Sequence, residues 1–149
     1  MRNKIKKFEN FNTESFKKIY FAHPISTYGT NIEKESISIL EENGFDVLNP
    51  GAKEQQDDFI IFRKNNPNDY MKYFDDLVLR CDSFAYLPFR DDKIGAGIVY
   101  ESDIASKNNM KIYKIDLINR IIIEVDFDYI LKNRLSVDET RHRIRNNIF

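Results

Sequence analysis

Short apolar segments alternate with longer amphipathic segments along most of the chain. Five of the apolar segments have the length and the aliphatic and aromatic content of buried strands, and they cover residues 18–22, 45–48, 83–87, 111–115 and 120–125. Apolar runs without strict alternation are typical of strands covered on both faces, as in parallel sheets. The pattern therefore predicts a sheet of about five strands.

Apolar residues at helical spacing predict helices between these strands. One helix begins near Thr30 or Asn31 and ends at the Asn43-Gly44 pair, because glycine accepts the left-handed conformation of a helix end. Residues 52–67 leave open whether a short helix interrupts a lid-like connection. The other predicted helices cover about residues 69–81, 96–108 and 138–146, the last capped by Ser136 or Asp138.

Strands that alternate with helices define an α/β fold with a mainly parallel sheet and right-handed crossovers. We predict a single-domain, flavodoxin-like or Rossmann-like sheet with strand order 2-1-3-4-5, flanked by helices. In this order strands one and three are neighbours, so the loops after Ala22 and Leu87 flank one crevice at the topological switch point. Residues 1–15 are predicted to be an N-terminal extension and residues 16–149 the domain, with a tail helix from about 136.

Composition narrows the class of protein. The 149 residues are 42% hydrophobic and 32% charged, with a formal net charge of −1. This balance is typical of soluble globular proteins and provides no basic field for a nucleic-acid polymer or an anionic membrane. A single cysteine, Cys81, excludes an internal disulfide, and no Cys/His spacing typical of a metal site occurs. No apolar run has the length of a membrane span or a signal peptide, so we expect a cytoplasmic protein.

The segment 93–101, KIGAGIVYE, follows the third predicted strand and holds the main candidate for chemistry. Its glycines, Gly95 and Gly97, allow the backbone to approach a ligand closely. Glu101 falls in the first turns of a helix that begins near Ala96, beside the loop that borders the crevice. A carboxylate at this place could attack the anomeric carbon of a sugar. The competing interpretation is an acid that complements the helix dipole.

Two further positions could act with Glu101. Tyr20 lies inside the first strand, where it is either a plain core residue or a residue whose buried hydroxyl needs a partner such as a glutamate. Asp75 lies at the border of the buried stripe of its helix, where it is either a boundary residue or a partly desolvated proton donor. Asp76 has basic residues at four-residue spacing on both sides, which favours an exposed, ion-paired side chain.

The loop at residues 23–30, HPISTYGT, is rich in hydroxyl groups and precedes a helix. The backbone N–H groups of a helix N-terminus favour an anion such as a phosphate. The loop has neither the Walker A pattern nor the GxGxxG pattern, and serine, threonine and glycine also occur in ordinary turns. His23 is either a contact to phosphate or base or a structural loop residue.

Five segments occur in the order found in one enzyme family: residues 18–24, KIYFAHP; 44–50, GFDVLNP; 75–82, ending in Cys81-Asp82; 87–88, LP; and 97–101, GIVYE. Together they resemble the nucleoside 2-deoxyribosyltransferase-like superfamily. This superfamily includes the deoxyribosyltransferases and the nucleoside 5′-monophosphate N-glycosidases. The resemblance covers about residues 18–115.

The resemblance implies a role for each candidate. Glu101 matches the nucleophile, Tyr20 the tyrosine that orients it, and Asp75 the aspartate that handles the leaving base, with Asp76 as a rival. Gly95 stands where relatives often carry Ser or Asp against the sugar or phosphate, and Asp91 or Asp92 could replace that contact. The predicted substrate contacts are Ala22, His23, Pro24, Ser26, Gly95, Gly97 and Asp92.

The implied function is cleavage of the N-glycosidic bond of a (deoxy)nucleoside or its 5′-monophosphate, by hydrolysis or base transfer, through a covalent ribosyl-glutamate intermediate. No metal or other cofactor is required, and a homo-oligomer is expected because relatives complete their sites with residues from a neighbouring subunit. One alternative is a non-catalytic module that senses or sequesters a nucleotide-like ligand. Another is a structural or partner-binding domain whose acids are surface charges.

Overall fold

One five-stranded sheet organises the chain in the computed structural model, which describes residues 17–149. The prediction for residues 1–15 lies outside the described residues. The strands are β1 (Lys17–Ala22), β2 (Phe45–Leu48), β3 (Ser83–Tyr86), β4 (Lys111–Asp116) and β5 (Ile121–Val125). Their order in the sheet is β2-β1-β3-β4-β5. The predicted α/β class and the predicted strand order are therefore confirmed.

The sheet is parallel except at one edge. β1, β2, β3 and β4 run in the same direction, whereas β5 is antiparallel to β4, with Ile115 opposite Ile122. Only residues 117–120 join these two strands, and so short a link cannot make the crossover that a parallel pair needs. Arg120 takes the left-handed conformation in this turn, with φ of 54°.

Within residues 17–149, four helices and a 3₁₀ turn at Ile25–Thr27 connect the strands, and two further helices follow β5. Of the two cap candidates predicted for each helix, Thr30 caps the first by accepting a hydrogen bond from Glu33 N, and Ser136 caps the last in a capping box with Glu139. The helices are α1 (Asn31–Glu42), α2 (Lys53–Asn65), α3 (Lys72–Leu79), α4 (Ala96–Lys107), α5 (Phe127–Lys132) and α6 (Val137–Arg145).

The helices depart from the predicted pattern in three places. α2 is a full helix of 13 residues, although its apolar residues do not share one face: Phe59 packs on Phe74 at 4.7 Å between ring centroids, whereas Ile60 and Ile61 are exposed. α3 begins at Lys72 and not near residue 69. α5 is missing from the prediction because its six residues are too few for a helical period to be recognised.

The sheet has an apolar core on each face. Alternation along β1 sends Tyr20 and Ala22 to the face covered by α3 and α4, and Ile19 and Phe21 to the face covered by α1. Cys81 is half-buried beside the first core, and burial raises the pKa of its thiol to about 12. Among the helices of residues 17–149, none combines the length and the apolar character that a membrane span requires.

Candidate active site

Glu101 and Tyr20 form a buried pair between α4 and β1. The inner face of α4 carries Ile98, Glu101, Ser102 and Ala105 at helical spacing, so the acid is turned toward the sheet. The Tyr20 hydroxyl donates a hydrogen bond to Glu101 Oε2 at 2.7 Å, and Glu101 is only 9% exposed. The glutamate partner that the position of Tyr20 suggested is present.

Burial raises the pKa of the Glu101 carboxyl from 4.5 to about 7. Loss of hydration is the largest cause; the hydrogen bond from Tyr20 lowers the pKa, and the nearby negative charge of Asp75 raises it. No cation within residues 17–149 forms an ion pair with Glu101. A buried carboxylate without a compensating charge is more typical of a functional site than of a structural one.

Glu101 lines a cavity of about 510 Å³, a volume within the range of small-molecule sites. Of the described residues, it is the only carboxylate in the lining, which is otherwise rich in apolar and aromatic side chains. The walls come from the loop after β1, from α2, from residues 70–74, from the start of α4 and from α6, and they include His23, Phe59, Phe74, Gly97 and Arg141. Such a lining favours a flat, largely apolar ligand group.

His23 and Pro24 contribute the wall after β1, and the imidazole of His23 is held at both nitrogens. Nδ1 lies 3.1 Å from Phe21 O, to which it donates, and Nε2 lies 2.8 Å from Glu33 Oε2. The ring also stacks on Phe21, with 3.9 Å between centroids. Burial lowers the pKa of His23, against the opposite effect of Glu33. With both nitrogens engaged, His23 serves as a fixed wall of the cavity.

The two glycines before Glu101 have different surroundings. A Cβ added to Gly95 would lie 3.3 Å from Thr140 Cγ2, and Thr140 Oγ1 accepts a hydrogen bond from Ala96 N at 2.9 Å. A Cβ added to Gly97 would meet no atom within 4 Å. The space at Gly95 is therefore taken by the tail helix α6, and only Gly97 leaves room beside the cavity for a ligand.

Asp75 lies behind Tyr100 and not in the wall of the cavity. The Tyr100 hydroxyl donates to Asp75 Oδ2 at 3.3 Å, and the Tyr100 ring lines the cavity. Asp75 Oδ1 is buried and has no hydrogen-bond partner among residues 17–149. Asp76 is exposed and forms no ion pair in the described part of the chain, so the predicted pairing with Lys72 or Arg80 is absent.

Three of the predicted substrate contacts do not line the cavity. Ala22 is 1% exposed in the core, and Ser26 Oγ makes a long 3.5 Å contact with Ile148 O. Asp92 faces a separate depression, where its carboxylate binds Lys114 Nζ and the Tyr129 hydroxyl. Sequence order alone could not assign these positions, because Ala22 is packed in the core and Ser26 and Asp92 contact other parts of the chain.

Asp91 does not replace a ligand contact at Gly95 either. Both of its carboxylate oxygens accept hydrogen bonds from the Arg143 guanidinium, at 2.8 and 2.7 Å. This pairing holds the pKa of Asp91 below its usual value, with the hydrogen bond from Arg143 as the largest cause. The fold-back of the loop that the sequence suggested therefore fixes the tail helix and not a ligand.

No residue of α2 or α6 was among the predicted ligand contacts, although both helices line the cavity. Arg63 of α2 lines the cavity and stacks its guanidinium on the Tyr70 ring at 4.7 Å. Thr140 and Arg141 of α6 line it as well. The cap candidates predicted the helix, but nothing in the sequence showed where it packs. Within residues 17–149 no cluster of His, Cys, Asp or Glu is arranged to hold a metal ion.

Comparison of the chain with protein-family models, with curated proteins and with solved structures gave no match in any of the three. The resemblance to the deoxyribosyltransferase-like enzymes therefore stays a prediction. The buried carboxylate, its hydrogen bond and the cavity that it lines are the structural basis for assigning a function.

Proposed function

We propose that this protein cleaves the N-glycosidic bond of a nucleoside or deoxynucleoside, or of its 5′-monophosphate, with Glu101 as the nucleophile. The observation that carries the proposal is the buried Glu101–Tyr20 pair, which opens into a cavity of about 510 Å³. The aromatic side chains of the lining support stacking of a base. The resemblance of residues 97–101 to the nucleophile motif of the family supports the same reaction.

In the first step, ionised Glu101 attacks C1′ of the sugar. Tyr20 donates to Oε2, and Oε1 accepts no hydrogen bond from residues 17–149, so Oε1 is the attacking oxygen. A bond forms between Oε1 and C1′, the bond from C1′ to the base nitrogen breaks, and its electron pair leaves with the base. The carboxylate stabilises the positive charge that develops on the sugar ring, more strongly because Glu101 is buried.

The departing base needs a proton, and the Tyr100 hydroxyl in the cavity lining is the proposed source. Tyr100 lines the cavity, and Asp75 contacts it from behind through a 3.3 Å hydrogen bond. In the proposal a proton moves from the Tyr100 hydroxyl to the base nitrogen, the Asp75 carboxylate orients that hydroxyl by accepting its hydrogen bond, and solvent returns the proton to Tyr100. General acid assistance of this kind contributes roughly 10²- to 10⁴-fold to a rate.

In the second step, the ribosyl ester of Glu101 is released. A water oxygen, or a nitrogen of a second base, forms a bond to C1′, the ester bond breaks, and its electron pair returns to the Glu101 carboxylate. With water the displaced proton goes to solvent, and the reaction is a hydrolysis. With a second base, the proton on its attacking nitrogen likewise goes to solvent, and the reaction is a transfer. Both outcomes use the same nucleophile and the same covalent intermediate.

The test is release of free base. The protein is incubated with purine and pyrimidine nucleosides and their 5′-monophosphates, with and without an acceptor base, and free base is measured by chromatography. We expect release by the wild type, loss of release in Glu101→Gln, and normal release in Asp103→Asn. Asp103 is the matched control because it lies on the same helix, pairs with Lys107 and does not line the cavity.

The outcomes separate the proposal from its alternatives. Release that survives Glu101→Gln would rule out this nucleophile. Binding of a nucleotide without release of base from any substrate would favour a non-catalytic sensing module. Neither binding nor release would leave a structural role.

A further inference from the structure

One face of α6 forms a wall of the cavity. Val137, Thr140, Arg141 and Ile144 all line it, and their spacing of three, one and three residues places them on the same side of a helix. Although α6 follows β5 and α5 in the chain, it lies beside the crevice at the carboxyl ends of β1 and β3. The cavity is closed on this side by the chain's own C-terminal segment.

Several contacts fix α6 against the site. The Arg143 guanidinium binds the Asp91 carboxylate through two hydrogen bonds and lies over the Phe89 ring at 4.9 Å. Thr140 Oγ1 accepts from Ala96 N and donates to the carbonyl of Ser136. The guanidinium of Arg143 and the hydroxyl of Thr140 are thus fully used in holding the helix. Arg141 lies between them in the chain and has neither task.

Arg141 and Arg63 are the two arginines that line the cavity, and neither has a carboxylate within 4 Å in residues 17–149. Arg143 and Arg120, by comparison, each bind acids. The described cavity therefore has one carboxylate, on Glu101, and two guanidinium groups that no acid neutralises. A guanidinium matches the geometry of a phosphate group with two parallel hydrogen bonds.

We propose that Arg141, supplied by the tail helix of the same chain, binds the 5′-phosphate of the substrate and makes the enzyme selective for 5′-monophosphates. This inference rests on the proposed function for the identity of the substrate. The phosphate binds at the α6 wall while C1′ of the same sugar meets Glu101. Arg63 lines the same cavity from α2 and adds positive charge to it. Thr140 occupies the space beside Gly95, where the sequence suggested a ligand contact. In the proposal Arg141, the next residue of α6, contacts the phosphate instead.

Substrate selectivity tests this assignment. We expect Arg141→Gln to lower kcat/KM for a 5′-monophosphate by about 10- to 100-fold, mainly through KM, because a charge-assisted hydrogen-bond pair to the phosphate is lost. The value for the corresponding nucleoside should change less than about twofold, since no phosphate is present. Arg145→Gln is the control: Arg145 lies one turn further along α6 and does not line the cavity. Equal losses on both substrates, or no loss on the monophosphate, would overturn the inference.

Binding without chemistry separates this inference from the proposed function. Calorimetry compares Glu101→Gln with the double variant that also carries Arg141→Gln, using adenosine 5′-monophosphate, cytidine 5′-monophosphate and ribose 5-phosphate as ligands. We expect the Kd of at least one ligand to rise about 10- to 100-fold in the double variant. If that rise occurs while the wild type releases no base, the phosphate site stands and the catalytic proposal fails. Unchanged affinities, or no binding of any ligand, would refute the phosphate site.

A mixing experiment tests whether the site belongs to one chain. Glu101→Gln and Arg141→Gln proteins are mixed, denatured and refolded together, and their activity on a 5′-monophosphate is compared with that of each alone. If Arg141 serves its own chain, the mixture has the average activity of the two. Activity above that average would show that Arg141 reaches the site of a partner subunit and would contradict the assignment.

Discussion

The Glu101–Tyr20 and Asp92–Tyr129 pairs lie along the same sheet and differ in burial and in charge compensation. Glu101 accepts a hydrogen bond from Tyr20, is buried, and has no cation beside it in the described part of the chain. Asp92 accepts a hydrogen bond from Tyr129 and also binds Lys114 Nζ at 3.2 Å. Burial lowers the pKa of Lys114, but its hydrogen bonds to Tyr129 and Asp92 outweigh this effect and raise the pKa overall.

The difference teaches how a reactive acid can be told from a structural one. At Asp92 the negative charge is neutralised and the polar groups bind one another, so the cluster holds β4 and α5 to the loop after β3. At Glu101 the charge is left without a cation and burial raises the carboxyl pKa to about 7. An uncompensated buried charge costs stability, and its presence beside a cavity points to chemistry.

The largest expected effect contrasts the two acids in catalysis. Glu101→Gln should reduce the rate of base release by roughly 10⁴-fold or more, because the attacking oxygen becomes an amide oxygen. Asp92→Asn should leave the rate within about threefold, since Asp92 faces a separate depression. Both rates are measured with saturating substrate at pH 8. A loss in Asp92→Asn as large as that in Glu101→Gln would remove the distinction between the two clusters.

A smaller effect concerns the proton for the leaving base. Asp75→Asn should slow base release from an ordinary purine substrate by about 10²- to 10³-fold, because Tyr100 loses the carboxylate that orients its hydroxyl and general acid assistance is weakened. A 7-methylguanosine substrate should be much less affected, since its base leaves as a neutral molecule without a proton. Asp76→Asn is the control for the exposed neighbour. Equal losses on both substrates in Asp75→Asn would exclude the proton-donating role, and a loss in Asp76→Asn would transfer it.

The two acids should also contribute to folding stability with opposite signs at pH 8. The carboxyl of Glu101 has a pKa of about 7 in the folded state and of 4.5 in the unfolded state. Its ionisation therefore lowers the free energy of unfolding as the pH rises from about 4.5 to about 7, and the loss is complete above pH 7. Glu101→Gln removes it and should raise the free energy of unfolding at pH 8 by about 1 to 3 kcal/mol, with little change at pH 4. Asp92→Asn should lower it by roughly 1 kcal/mol at pH 8, since Lys114 loses its acid.

Urea unfolding followed by circular dichroism at pH 4 and pH 8 measures both effects. A Glu101→Gln protein less stable than the wild type at pH 8 would show that the buried charge is compensated by a contact other than Tyr20.

The smallest effect is a displacement of the pH profile. In the wild type, kcat/KM should fall as the pH drops through about 7, where Glu101 becomes protonated. Because the Tyr20 hydrogen bond lowers the Glu101 pKa, Tyr20→Phe should move this limb to higher pH by about 0.5 to 1 unit, which is at most about tenfold in activity. Tyr86→Phe is the control, since the buried Tyr86 hydroxyl has no partner within residues 17–149. Identical limbs in the wild type and Tyr20→Phe would contradict the role of the hydrogen bond.

Much of the fold followed from local patterns. Short apolar runs alternating with helical periods predicted five strands in the order 2-1-3-4-5, and turn and cap residues such as Gly44, Thr30 and Ser136 placed helix ends. The pattern failed at α2, where apolar residues do not share one face, and at α5, where the helix is too short. Local sequence signals depend on a repeated period, and neither segment has one.

The candidate site was predicted only in part. Tyr20 and Glu101 could be paired in advance because the predicted strand order places strand one beside strand three, and the family resemblance gives both residues a role in one site. The direction of Asp92 could not be foreseen, since it sits in a turn with a positive φ of 69°. The space at Gly95, which the sequence suggested for a ligand, is taken by Thr140, 45 residues further along the chain.

The sequence by itself determined the α/β class, the strand order and the meeting of Tyr20 with Glu101. Periodicity identifies the strands and helices from neighbouring residues, and the rules for parallel sheets leave few possible strand orders. Only the tertiary structure decided which charges are neutralised and which face the cavity. Arg143 and Arg141 differ by two positions on one helix, yet one binds Asp91 and the other lines the cavity. That outcome depends on how α6 packs on the start of α4, a long-range contact that no local pattern encodes.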